Sequence, residues 1–166
     1  MRNALLLAAA LPLAAFAQSP EIERAASAPQ AIGATHALRT IPEACVRLEG
    51  TFTGQAGEPY DFRAVRTSAQ CQPRALLVDP AKARPTAEAG WVLNDVIRVP
   101  RAGCPSHQAV VTVWRKPVDV ATPALDGQGR ARIYLDESMD KVASGQLAPV
   151  PLYAAAVSLD GAPCDP

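Results

Sequence analysis

Cys45, Cys71, Cys104 and Cys164 carry the most versatile chemistry in this chain, and what they do depends on where the chain is sent. Met1 to Ala17 reads as a secretory signal peptide. Arg2 supplies the positive n-region, Ala4 to Ala14 a short apolar run, and Ala15-Phe16-Ala17 the small-x-small pattern for cleavage. Gln18 is then the expected first mature residue. In an oxidising compartment the four thiols become disulfide partners before they become ligands or nucleophiles. Four cysteines allow three pairings. The expected one joins nearest neighbours, Cys45 with Cys71 and Cys104 with Cys164, and makes Cys164 a clasp on the last strand.

Other constellations are incomplete. Cys104-Pro105-Ser106-His107 has the spacing of half a zinc site, but the only other histidine is His36, so no second half-site exists. No metal or cofactor is expected. Nucleophilic catalysis would need a Ser beside His107, and Ser106 points away from it on an extended chain, so Ser68, Ser144 or Ser158 would have to come from elsewhere; no G-x-S-x-G elbow is present. A carboxylate pair could draw on Asp61, Asp79, Asp95, Asp136 or Glu137, of which only Asp95 stands out, because it falls on the apolar face of a strand. Asp136, Glu137 and Asp140 lack the alternating acids and Gly of a calcium loop. No catalytic residue is assigned. Arg63, Arg66, Arg74, Arg98, Arg101 and Arg115 are spaced so that several could share one sheet face, with Arg63, Arg66 and Arg115 the expected contacts of a binding surface, whereas Tyr60, Trp91 and Trp114 are expected in the core.

Charge sets further limits. The chain has 16 Lys and Arg against 16 Asp and Glu, and loss of Arg2 with the signal peptide leaves a net charge of one negative. No basic stripe is present to track a phosphate backbone, so nucleic acid is not an expected partner. The apolar run is broken by Pro12 and falls short of the roughly 20 residues of a membrane-spanning helix. No later stretch approaches that length, so no transmembrane segment is expected after cleavage. A short Ala-rich signal with one Arg is of the bacterial export type, which implies a periplasmic or secreted protein.

The elements that would position these residues are strands. Residues 18–40, rich in Ala, Pro and Ser with only Ile22, Ile32 and Leu38 as large aliphatics, are expected to form a flexible linker before a single β-rich domain over 41–166. Ala44 to Phe52 and Tyr60 to Arg66 alternate apolar and polar residues around the Gly54 to Pro59 turn and read as a hairpin. Ala75 to Val78 is a short apolar run, and the loop after it has room for one helical turn at Thr86 to Ala89. Trp91 to Val99 reads as a strand with a bulge near Asn94-Asp95, or else with Asp95 as a polar group requiring partners. Gln108 to Trp114, mostly β-branched or apolar, is expected at the centre of a sheet. Arg130 to Leu135 and Pro151 to Leu159 complete the strands, with one short helix from Glu137 to Ser144 capped by Asp136.

Six or seven short strands separated by Pro and Gly predict an all-β fold, a small antiparallel sandwich or barrel stapled by disulfides. Ile41-Pro42-Glu43-Ala44-Cys45 resembles Val99-Pro100-Arg101-Ala102-Gly103-Cys104, a likeness expected to be chance because the residues after each cysteine differ. With no catalytic set, the expected role is a non-catalytic interaction module whose partner is an envelope protein or cell-wall component. The alternatives are an inhibitor of a cell-wall hydrolase and a small hydrolase using His107 or Asp95.

Overall fold

The computed structural model describes residues 18–118, Ser144 and residues 150–164. The expected signal peptide, the strand over 130–135 and all of the expected helix but Ser144, a turn residue, lie outside them. The fold is all-β. Strands β1 (Thr35–Ile41), β2 (Val46–Phe52) and β3 (Tyr60–Arg66) form an antiparallel sheet in the order β1-β2-β3. Strands β4 (Leu76–Val78), β5 (Val92–Arg101), β6 (Cys104–Lys116) and β7 (Leu152–Asp160) form a second sheet in the order β4-β7-β6-β5. β6, the Val-rich run, has neighbours on both sides, and its β-branched residues tolerate burial on both faces. The pairing of β4 with β7 is parallel, an exception to the antiparallel expectation that spans three residues on each strand.

The sheets stack strand over strand. Arg39 of β1 bonds to Asp95 of β5 at 3.0 Å. Phe52 of β2 lies against His107 of β6 with ring centroids 6.3 Å apart. Tyr60 and Phe62 of β3 share a groove with Val157 of β7. Between the sheets the inward rows of each strand form one core that includes Leu38, Ile41, Leu48, Phe52, Ile97, Val99, Val111 and Val113. Within β2, β5 and β6 these residues recur at even spacings, the period-two signal of the sequence realised in space, while Leu38 and Ile41 of β1 stand three apart, next to the bulge between Ala37 and Arg39.

The two meanders β1-β2-β3 and β5-β6-β7 are built alike. Cys45 stands immediately before β2 and bonds to Cys71, beyond the end of β3; Cys104 opens β6 and bonds to Cys164, beyond the end of β7. The two similar sequence segments therefore occupy equivalent corners. Ile41 and Val99 are each buried at the end of a first strand, and a left-handed residue turns each corner, Cys45 in one and Gly103 in the other. The pairing is the expected nearest-neighbour one.

Residues 18–40 depart from the expected linker. Glu21 and Ile22 donate backbone N–H to the carbonyls of Leu93 and Asn94 at 2.9 Å, Ser27 to Arg98 at 2.8 Å and Gln30 to Pro100 at 2.9 Å. This stretch is thus an N-terminal arm that runs along the outer edge of β5, crosses to the other sheet and becomes β1. What holds it is backbone pairing and charge rather than apolar periodicity, so a local reading of hydropathy finds nothing there. The covering also removes a strand edge that would otherwise be open to association.

The short helix after β4 differs as well. It forms at Pro80–Ala83, where Asp79 accepts the Ala81 N–H at 2.9 Å as N-cap and Pro80 supplies a preset φ, while Thr86 to Ala89 makes only a hydrogen-bonded turn.

Candidate functional site

Among the described residues, β3 and β7 leave one side of the sandwich open. β3 pairs only with β2 among the described strands, and β7 is paired on its outer side only at Leu152, Tyr153 and Ala154, where β4 ends the ladder. Beyond Ala154 the inward row of β7 passes from buried Tyr153 and Ala155 to Val157, 36% exposed, and Leu159, 40% exposed. Across from this row lie Tyr60, Asp61 and Phe62 with the loop Thr53 to Pro59, enclosing a groove of about 660 Å³. The Thr53 hydroxyl donates to the Glu58 carbonyl and accepts from the Gln55 N–H at 3.1 Å, which fixes that loop.

The groove wall is set by a close fit of Gly50 under Tyr60. A Cβ at Gly50 would overlap the Tyr60 hydroxyl and ring, so only glycine lets the ring lie across β2. Tyr60 also packs edge-on against Phe52 with centroids 4.8 Å apart. Its hydroxyl lies 2.8 Å from His36 Nε2, and His36 Nδ1 lies 3.1 Å from the Ala34 carbonyl. A carbonyl only accepts, so Nδ1 carries the proton and Nε2 of the neutral ring accepts from the tyrosine. Burial holds the Tyr60 phenol well above the ordinary tyrosine range.

The expected contact arginines are not brought together. Arg63 and Arg66 lie on β3 and Arg115 on β6 of the other sheet. Arg63 shares Glu49 with Arg47, at 3.2 and 2.6 Å, and these guanidiniums, Arg47 foremost, hold the Glu49 carboxyl below its ordinary range. Arg66 donates to the carbonyls of Ser68 at 2.9 Å, Ala69 at 3.3 Å and Cys71 at 2.7 Å, so it shapes the loop that ends in the first disulfide. Arg115 forks onto both oxygens of Glu21 and holds the N-terminal arm against the sheet. That fork, with the Asn94 amide at 2.7 Å, lowers the Glu21 carboxyl pKa, and Glu21 in turn raises that of Arg115.

Asp95 and His107, the residues of the hydrolase alternative, sit where a substrate does not reach. Asp95 is fully buried, its oxygens bonded to Arg24 and Arg39, and it stands at the β5 bulge. Both sequence readings of this point therefore hold. His107 is 5% exposed beneath Phe52, with Nδ1 unpartnered. Among the described residues no cluster of three or more His, Cys, Asp or Glu is disposed to hold a metal ion, and no helix is long and apolar enough to cross a membrane.

Val157 and Leu159 were not singled out in the sequence. Their signal is weak but present: Ala154 to Leu159 is apolar at nearly every position and lacks the Lys, Pro or inward charge that usually guards an edge strand. No known protein family, curated protein or solved structure matches this chain.

Proposed function

We propose that this chain is an exported, disulfide-stapled β-sandwich that binds a protein of the bacterial envelope through the open side between β3 and β7, without catalysis. The observation that carries this reading is the pair of edges without a partner among the described residues that face one groove, with Val157 and Leu159 exposed on the inward row. Export is supported by the signal-like first seventeen residues and by the pairing of all four cysteines. In this reading Arg63 and Arg66 shape the edge strand and its flanking loop, and Arg115 anchors the N-terminal arm.

Affinity capture from envelope extracts tests it, with the tagged full chain, its Val157→Lys variant and a Glu88→Lys control in the remote turn before β5. The expected result is that wild type and control capture the same proteins and that Val157→Lys loses them. Capture that survives in Val157→Lys, or none by wild type, would contradict the reading.

A further inference from the structure

We propose that the occupant of this side is an extended protein segment that adds to the edge of β7 left unpaired among the described residues, as a further strand with apolar residues turned into the groove and Lys or Arg on the alternate positions. The proposal rests on the binding function proposed for this side and names the partner's chemistry. Ala155 to Asp160 is six residues of strand with no neighbour on its outer side among the described residues, a length of about 20 Å at 3.3 Å per residue. Such an edge offers unpaired backbone donors and acceptors, which is the source of affinity when a peptide joins a sheet.

Specificity comes from the two faces of the added strand. Side chains on one face meet Val157, Tyr60 and Phe62 in the groove and exposed Leu159 further along the same row of β7. Charge selects the rest. The alternate residues point to the outer face, away from the groove. At the end of β7 stands Asp160, mostly exposed, 3.9 Å from Arg98 and 3.3 Å from the Gln108 amide on the outer face. A basic alternate residue meets complementary charge here, and an acidic one is repelled.

The test uses three fluorescein-labelled seven-residue peptides with the oxidised full chain, read by anisotropy: alternating Lys and Val, alternating Glu and Val, and the Lys/Val sequence N-methylated at every residue. The expected result is that the Lys/Val peptide binds, the Glu/Val peptide binds at least tenfold more weakly, and N-methylation abolishes binding because it blocks the ladder. Asp160→Lys should weaken Lys/Val binding severalfold, and Val157→Lys should remove it. Absence of Lys/Val binding, equal binding of the Glu peptide, or indifference to N-methylation overturns the proposal. If the peptides fail while Val157→Lys still abolishes envelope capture, this inference falls and the binding reading stands; if capture is also insensitive, both fall. A dimer in sedimentation that Val157→Lys dissociates makes a second copy the occupant and overturns the proposal.

Discussion

Arg39 of β1 reaches across the interior to Asp95 of β5, Nη1 to Oδ2 at 3.0 Å, and this pair joins the two sheets through a carboxylate that is fully buried. Arg24 of the N-terminal arm closes on the other side of the same carboxylate, with Nε 3.0 Å from Oδ1. One buried anion thus ties together the arm, one strand from each sheet and the bulge that turns Asp95 inward.

Removing one partner of a buried ion pair leaves its counterpart desolvated, which costs on the order of 3 to 5 kcal/mol. Asp95→Ala should therefore lower the urea midpoint strongly, because two arginines lose their acceptor. The double variant Asp95→Leu with Arg39→Met should recover part of that loss. A double variant no more stable than Asp95→Ala would show that the network does not act through charge burial.

The two disulfides close loops of different length, 26 and 60 residues apart in sequence. In the chain-entropy description these contribute about 3.5 and about 4 kcal/mol. Replacing Cys104 and Cys164 by Ser should cost the more, and should also free the chain end, since Gly161 lies too close to the Ser106 carbonyl for any Cβ and Cys164 N–H bonds to Cys104 Sγ at 3.1 Å. Hydrogen exchange should then rise at Leu159 and Asp160 while the β1-β2-β3 amides stay protected. Equal loss of protection in both meanders would contradict the separate roles.

Gly50→Ala should be destabilising by about 1 to 3 kcal/mol through overpacking against Tyr60, although Ala is ordinarily the better residue in a strand. The same variant should change the pH profile. Because burial raises the Tyr60 pKa in the fold above its ordinary value of 10.0, the associated stability is fully present below about pH 10 and is lost as pH rises further. Absorbance titration of the wild type should show one tyrosine ionising late, and in Gly50→Ala that step should move toward pH 10. An unchanged titration would show that Gly50 does not set the ring's position.

Glu21 has the opposite sign. Its carboxyl is lowered from the ordinary 4.5, chiefly by Arg115, so its contribution is present above that pH and is lost as pH falls through the lowered value. Acid should release the first residues of the N-terminal arm from β5 before the core opens, seen as faster exchange at the Glu21 and Ile22 amides. Arg115→Gln should show the same release at neutral pH. Simultaneous exchange of arm and core would contradict this.

Much of the sandwich was legible in period-two alternation: the hairpin of β2 and β3, the central β6, the final β7 and the bulge at Asp95 all have local signals. The cysteine pairing followed from order along the chain. The N-terminal arm was not legible, because Glu21 meets Arg115 and Arg24 meets Asp95 across 94 and 71 residues, and charge pairs of that separation leave no periodic trace. The open side was only half legible. That Val157 faces a groove depends on β4 ending its pairing at Ala154, a fact of topology rather than of hydropathy. Arg115 does not share a sheet face with Arg63 and Arg66, because spacing gives a shared face only within one sheet and β3 and β6 belong to different ones.

If the side between β3 and β7 is the binding surface, a photoreactive amino acid placed at position 157 in the full chain should report its partner in living cells. Irradiation should yield a discrete crosslinked protein from position 157, competed by the untagged wild-type chain, and none from position 88. Crosslinks from 88 but not from 157, or equal yields from both, would contradict a binding role for this side.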